Sequence, residues 1–547
     1  MPSVMPMPRR WPGIVAALLC LASYAYFWQS RDWNAASRLM LTYALVDRHT
    51  LSIDGYEHQC ADIRRNPLTG ETKVRGGDIA VYNGHYYSDK APGLSLIGAL
   101  AYAALPRRAG LKPHPIDEQA MAYWAADYWV TLFSSGIATA LCVYVLFRFL
   151  QLVGATTWGA FWMAIGYGLA TPAFLYGTLF YGHNVAAACL LTATYALWRS
   201  RGVRHGAALS NALLAGLAAG YAVVTEYPAV GAAVLLAITA VLILRRFGPL
   251  LAFGYGAALA AAILAIYNWK AFGSPFTLSY AHEASDLFRA VHSAQSPLGL
   301  RWWEMPHFER LPELLWLPRR GLLWYAPILA LSPLGLLALL LNRRHWALAL
   351  LLSAIAAWYT WVVLVYPNWD GGWCTGPRLL TAIYPFLALA AGATFVSLRS
   401  TTWKLLVVPV VLAGMAINLG CVAVGGRFPP SIEHPLKQVV LPRWQGKQSD
   451  GLRTLAGGAQ FERNLGRQLA RWVKERWLGA GHDESNPEQT VQDRLRVLRR
   501  IVHATAQSEW SPWRPLEFAP LVLLWCVALV MGRANDGNSG PTGAGGG

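Results

Sequence analysis

The chain has 547 residues, of which 55% are A, V, I, L, M, F, W, Y or C and only 14% are charged, against about 25% charged in an ordinary soluble domain. So large an apolar excess excludes a disordered, collagenous or coiled-coil chain and predicts an all-α polytopic membrane protein. The net charge of +17 falls in short basic clusters between apolar runs, at Arg9-Arg10, Arg107-Arg108, Arg199 to Arg204, Arg245-Arg246 and Arg343-Arg344. That is the pattern of the positive-inside rule, and with no base-reading motif beside it no nucleic-acid partner is expected.

The first apolar run, Trp11 to Trp28, follows Arg9-Arg10 and reads as an uncleaved signal anchor with the N-terminus in the cytoplasm. Residues 29–90 then form a polar loop on the outer side. It holds eight of the 29 acidic residues. Asp54-Gly55, Gly76-Gly77 and Asn83-Gly84 mark turns in it, AVYNGHYY reads as strand, and Ser37 to Val46 reads as an amphipathic helix at the membrane surface. Further spans are predicted at 91–106, 128–150, 155–172, 183–198, 207–225, 228–244, 249–269, 321–341, 346–366, 379–397, 403–424 and 516–532, which makes about 13. Sidedness alternates without conflict from 183 onward and fails once between 91 and 150. Either that stretch holds another crossing or the Ala91 to Leu105 run is re-entrant.

Loops 270–320 and 367–378 and segment 425–515 fall on the same side as loop 29–90. The expected organisation is a membrane module over 1–424, a soluble insert over 425–515, a final span at 516–532 and a low-complexity tail over 533–547. The insert carries 15 Lys or Arg against nine Asp or Glu, and its 463–476 stretch reads as a basic amphipathic helix. The seven cysteines lie mostly within apolar runs, as buried small side chains do. Cys60 and Cys374 share the outer side, and a disulfide between them stays open.

Chemistry-bearing residues gather in the outer loops. YYSDKAPG (86–93) places Tyr87, Asp89 and Lys90 at the membrane edge. PNWDGGWCTGPR (367–378) combines Trp369, Asp370, Trp373 and Arg378 with glycines that let backbone approach a ligand. Arg319-Arg320-Gly321 and Tyr325 begin a later span, and His183 begins another. Acids, arginines and aromatics at one interface suit a sugar carried on a lipid phosphate. Its transfer needs one general base for the acceptor hydroxyl and cations for the departing phosphate. Phosphate already leaves as a stable anion, so one carboxylate suffices where glycoside hydrolysis uses two.

Six stretches carry a resemblance: SRLMLTYALVDRHTLSID (37–54), GDIAVYNGHYYSDKAPGLS (77–95), TPAFLYGTLFYGHN (171–184), FGSPFTLSY (272–280), RRGLLWYAPIL (319–329) and NWDGGWCTGPRLLTAIYPFLAL (368–389). Together they resemble the GT-C superfamily of integral-membrane glycosyltransferases, and most closely its bacterial members related to the protein-mannosyltransferase and aminoarabinose-transferase group. The resemblance implies a GT-C-like bundle with a large first periplasmic loop in the bacterial inner membrane. It implies a polyprenyl-phosphate sugar donor, a lipid, glycan or protein acceptor, inversion at the anomeric carbon and a catalytic carboxylate in the first loop. Many relatives carry an Asp-Glu pair where this chain has Ala35 and Ala36, so the base stays open among Asp32, Asp54, Asp78 and Asp89.

Each candidate has a plainer role. Asp78 suits a turn, Asp32 a helix cap and Asp89 an ion pair with Lys90. Asp47 and Asp54 read as caps or turn residues. Lys90, Arg320 and Arg378 are the candidate phosphate contacts, with interfacial snorkelling as the alternative for the arginines. Tyr87, His183, Tyr325, Trp369 and Asp370 are further candidate substrate contacts, and Trp369 and Trp373 have the loop context that suits a sugar. No metal cluster of D-x-D type is present, and a phosphate held by Lys and Arg requires neither metal nor cofactor. The alternative functions are a transporter or flippase for a lipid-linked glycan, a polymerase or ligase using a diphosphate-linked donor, and a non-catalytic scaffold. A transporter is expected to place ionisable residues at the bilayer midplane within a repeat, whereas here they lie in loops.

Overall fold

The computed structural model describes residues 10–27, 29, 31–65, 72–105, 120–289, 305–397, 401–444 and 518–534. The 463–476 stretch, most of the insert, the tail and the Arg107-Arg108 cluster lie outside the described residues. The long helices are α1 (Trp11–Tyr26), α2 (Trp33–Tyr43), α3 (Gly93–Ala103), α4 (Ala120–Thr131), α5 (Ile137–Leu152), α6 (Thr157–Leu169), α7 (Gly182–Arg199), α8 (His205–Thr225), α9 (Ala229–Ile243), α10 (Phe247–Phe272), α11 (Ser332–Leu341), α12 (Trp346–Val365), α13 (Tyr384–Ser397), α14 (Thr401–Ala423) and α15 (Ala519–Ala534). Every apolar run read from the sequence falls on one or two of them. Among the described residues, four helical stretches are long and apolar enough to cross a membrane: Ala126–Leu152, His205–Thr225, Phe247–Phe272 and Trp346–Val365. The first runs from α4 through one π turn into α5.

Two departures have local causes. Helix α3 has 11 residues, which rise about 16 Å against a bilayer core of about 30 Å. By length it does not cross, which bears on the sidedness conflict noted at this stretch. The run at 321–341 is broken into one helical turn at Leu322–Tyr325, a 3-10 stretch at Pro327–Leu331 and then α11. Pro327 has no N–H to continue the helix, the Leu329 amide turns to the Ala326 carbonyl at 2.9 Å, and the Tyr325 carbonyl thus freed accepts from the Asn418 side chain at 2.7 Å. A neighbouring helix thus satisfies the freed backbone group. Small residues set how closely α8 approaches α10. A Cβ on Gly216 of α8 would stand 1.9 Å from the Phe253 carbonyl oxygen of α10, so only glycine allows that approach.

The first loop is largely ordered. Asp32 caps α2 by accepting from the Ala35 amide at 2.9 Å. The helix expected near Ser37 forms, but Ala35 through Tyr43 are all buried, so it is packed into the protein rather than laid on its surface. Two antiparallel hairpins follow: β1 (Ala61–Arg65) with β2 (Thr72–Gly77), and β3 (Ile79–Tyr82) with β4 (His85–Ser88). Asn83 and Gly84, at φ of 50° and 81°, make the tight turn that an Asn-Gly pair favours. A later segment docks onto this loop, and a second bridge joins two segments beyond it. Glu283 bridges β3 at Ala80, with the Ala284 amide donating to the Ile79 carbonyl at 3.0 Å. Cys374 bridges Phe428.

Candidate active site

The β3–β4 hairpin assembles the first charged cluster. Ile79 pairs with Ser88, so the residues just outside that pair, Asp78 and Asp89-Lys90, are brought together. Lys90 Nζ lies 2.6 Å from Asp89 Oδ2 and 3.2 Å from Asp78 Oδ1. Ser37 Oγ donates to Asp89 Oδ1 at 3.3 Å. Glu283, carried in on the docked segment, shares a hydrogen bond with Asp89. All four charged groups are buried.

Burial pushes Asp89 up to about 7, opposed by Lys90 and helped by the charges of Asp78 and Glu283. Burial likewise lifts Glu283 to about 7 against the pull of Lys90. Desolvation disfavours the Lys90 ammonium, yet Asp78 and Asp89 outweigh it and hold the lysine firmly protonated. Three carboxyls around one ammonium are stable together when Asp89 and Glu283 share a proton.

The second cluster surrounds the start of α2. Asp32 is its centre. Its carboxylate accepts from the Tyr181 hydroxyl and stands 3.4 Å from Arg427 Nη1. Burial pushes Asp32 up, but Arg427, the Tyr181 hydroxyl, the Ala35 amide and Arg378 overcome it and bring it below the usual carboxylate range. Its side chain is 28% exposed, against 9% for Asp78 and 0% for Asp89. Of these three, Asp32 is thus the one a substrate hydroxyl reaches most readily. Arg378 lies over the Tyr181 ring at 5.4 Å and makes no side-chain hydrogen bond or ion pair among the described residues, its Nε being buried without a partner. Beside it, Arg38 of α2 pairs with Glu226 at 2.7 Å, and His183 Nδ1 is 3.6 Å from the same carboxylate.

Other candidates hold structure. Arg320 is fully buried. All five of its N–H donors have carbonyl acceptors: Asp370, Arg319, Cys374, Gly372 and Phe428. It ties the 367–378 loop to residue 428 with no donor left for a phosphate. The Tyr325 hydroxyl donates to the Pro318 carbonyl, and Asp370 accepts from the Gly372 amide. Trp369 lies between Arg310 and Arg319, at 5.7 Å and 5.5 Å from its ring. Tyr87 packs 5.3 Å from Phe272. Asp54 accepts from the Tyr86 amide and pairs with His85, so it serves the hairpin turn. Cys60 and Cys374 are both free thiols.

Sequence reasoning did not nominate Glu283, Arg427, Tyr181 or Arg38. Acids are scarce after residue 90, which was the available signal for Glu283. For Arg427 it was Gly425-Gly426, whose positive φ values of 94° and 58° form the turn that presents it.

No family model matches the chain, and no curated protein sequence does. Among solved structures, the chain is similar to the crystal structure of ArnT from Cupriavidus metallidurans in the apo state, at 13% identity and a TM-score of 0.46, over 94% of this chain and 75% of that one. Its similarity to ArnT bound to undecaprenyl phosphate is 12% in identity and 0.46 in TM-score, over 96% and 77% of the two chains. It is also similar to the archaeal oligosaccharyltransferase AglB from Archaeoglobus fulgidus in complex with an inhibitory peptide and a dolichol-phosphate, at 12% identity and a TM-score of 0.39. That last match covers 81% of this chain and 58% of AglB.

Proposed function

We propose that the chain is a GT-C-type glycosyltransferase of the bacterial inner membrane. It transfers a sugar from a polyprenyl-phosphate donor to a cell-envelope acceptor hydroxyl on the periplasmic side, with inversion. One observation carries the reading: an arginine without an ionic partner, Arg378, stands beside an ionised, reachable carboxylate, Asp32. The arginine suits a phosphate, to which it donates in a two-pronged fashion. The carboxylate suits a hydroxyl that must lose its proton.

In this reaction Asp32 takes the acceptor proton as the oxygen attacks the anomeric carbon. The bond from that carbon to the phosphate oxygen breaks, and its electron pair leaves on polyprenyl phosphate, held by Arg378. Lys90 is a second phosphate contact through the donor not engaged by Asp78 and Asp89. Asp78 and Asp89 act through the lysine. Arg320 shapes the loop that presents Arg378.

The test is release of polyprenyl phosphate by purified protein in detergent, from a panel of short-chain polyprenyl-phosphate sugars with an envelope-extract acceptor. Release that stops with Asp32→Asn supports the reading. A protein that moves lipid-linked glycan only across a sealed bilayer, with no release in detergent, is a transporter. Release from diphosphate-linked donors alone identifies a polymerase or ligase.

A further inference from the structure

The glycosyltransferase reading needs a phosphate site and a base, and it leaves unused a half-buried ionic group beside them: Glu226 with Arg38 and His183. Glu226 follows the last turn of α8, where its backbone leaves the helix in extended form. Both of its charged contacts fall on Oε1, namely Arg38 Nη2 at 2.7 Å and His183 Nδ1 at 3.6 Å. Oε2 accepts no hydrogen bond among the described residues, and the side chain is 14% exposed. Gly182 makes room for it, since a Cβ there would stand 2.3 Å from Oε1. Arg38 is itself held from the other side by Asn34 at 2.5 Å. The carboxylate is therefore fixed from behind and from one side, with one oxygen left over.

Its neighbourhood is that of the proposed reaction centre. Gly182 follows Tyr181, which donates to Asp32, and Asn34 lies two residues after Asp32. His183 faces Glu226, Arg378, Arg38 and Lys90; Arg38 is matched by Glu226 and Lys90 by Asp78 and Asp89, which leaves the charge of Arg378 in excess. A ligand group at this place thus lies beside the phosphate grip and the base, where the sugar of a lipid-phosphate donor must sit. A cationic substituent would meet that excess of positive charge, while Glu226 is already paired with Arg38. Neutral hydroxyls suit it, because a carboxylate oxygen and an imidazole together hydrogen-bond adjacent sugar hydroxyls without adding charge.

We propose that Glu226, oriented by Arg38 and joined by His183, is the sugar-recognition carboxylate of the donor site, and that the donor sugar is a neutral, polyhydroxylated one rather than an aminosugar. Glu226 and His183 touch the sugar, whereas Arg38 is a positioning residue. The proposal rests on the glycosyltransferase reading, and the experiment separates their failures.

The experiment measures kcat/KM of the purified full-length protein and of Glu226→Gln. Donors are short-chain polyprenyl phosphates of glucose, mannose, galactose, their monodeoxy forms and 4-amino-4-deoxyarabinose. Wild type is expected to use a neutral sugar about tenfold or more better than the aminosugar. Removing one particular hydroxyl should cost wild type about tenfold or more and cost Glu226→Gln little, because the partner is already gone. Gly182→Ala, which displaces the carboxylate without removing its charge, should mimic Glu226→Gln on that same donor. Equal losses for Glu226→Gln on every deoxy donor would mean a purely structural role and overturn the proposal, as would preference for the aminosugar. If wild type releases polyprenyl phosphate from none of these donors, the glycosyltransferase reading itself fails.

Discussion

The two charged clusters are built from the same residue types and differ in what neutralises the cations. Around Lys90, three carboxyls crowd one ammonium within a cage closed by a hairpin and a docked loop. Around Asp32, the arginines outnumber the acids, and Arg378 has no counter-ion among the described residues. Tyr366 connects them, facing Lys90, Asp78 and Asp89 of one and Arg378 of the other. A lysine with two carboxylates on it is a weak attractor for a further anion, however prominent its motif. An arginine with none attracts strongly. Charge balance, rather than residue type, separates the stronger phosphate contact, Arg378, from the weaker one, Lys90.

The largest expected effect tests that separation directly. Asp32→Asn should lower turnover by about 10²–10⁴-fold, the usual contribution of a positioned base, while leaving the melting temperature of the detergent-solubilised protein nearly unchanged. Asp89→Asn, deep in the cage, should cost less than about tenfold if it acts only through Lys90. Reversed magnitudes would move the base into the cage. Next come the arginines. Arg378→Gln should weaken binding of polyprenyl phosphate by about tenfold or more without loss of stability. Arg320→Gln should do the opposite, costing about 3 kcal/mol of stability or more, since each buried acceptor left alone costs about 1–3 kcal/mol.

A smaller effect appears in pH. Asp89 and Glu283 are raised to about 7 in the folded protein, above their usual values near 4. Between those limits the folded chain binds more protons than the unfolded one, so stability falls as pH rises. The melting temperature should decline from pH 5 to pH 8 by way of this pair. Asp89→Asn should flatten most of that decline, and an unchanged slope would show that the pair does not share a proton.

The apolar runs were legible because each is a property of consecutive residues, and the structure places helix on every one. The hairpin at 79–88 was legible for the same reason, with Asn83-Gly84 between alternating residues. The site was legible only in part. Lys90 beside Asp89 is a local fact. Glu283 beside Asp89 is not, for they are 194 positions apart, and the Ala80 to Glu283 bridge, the Ala284 amide on Ile79 and the Ser279 hydroxyl on the Asp89 carbonyl unite them. Arg427 reaches Asp32 from 395 positions further along the chain. Arg320 misleads in a different way. Its place beside Arg319 and Gly321 suits a phosphate contact, but its use is decided by five carbonyls supplied by residues 319, 370, 372, 374 and 428. Residue type predicts what a side chain is able to bind, and packing decides what it does bind.

The smallest expected effect concerns the device that closes the cage. Gly84 sits at φ 81°, a conformation that costs an L-residue of order 1 kcal/mol, while an added Cβ there meets nothing within 4 Å. Gly84→Ala therefore changes backbone preference and no contact. It should lower stability by about 1 kcal/mol. The hairpin ends should hold, because Ile79 and Ser88 remain paired, Asp54 still grips the Tyr86 amide and Glu283 still docks on Ala80. Transfer activity and the pH slope should then match wild type below the melting transition. A loss of activity larger than the loss of stability would mean that the turn, and not these later contacts, sets the distance between Asp78 and Lys90. The cage would then be as sensitive to the loop tip as to its own charges.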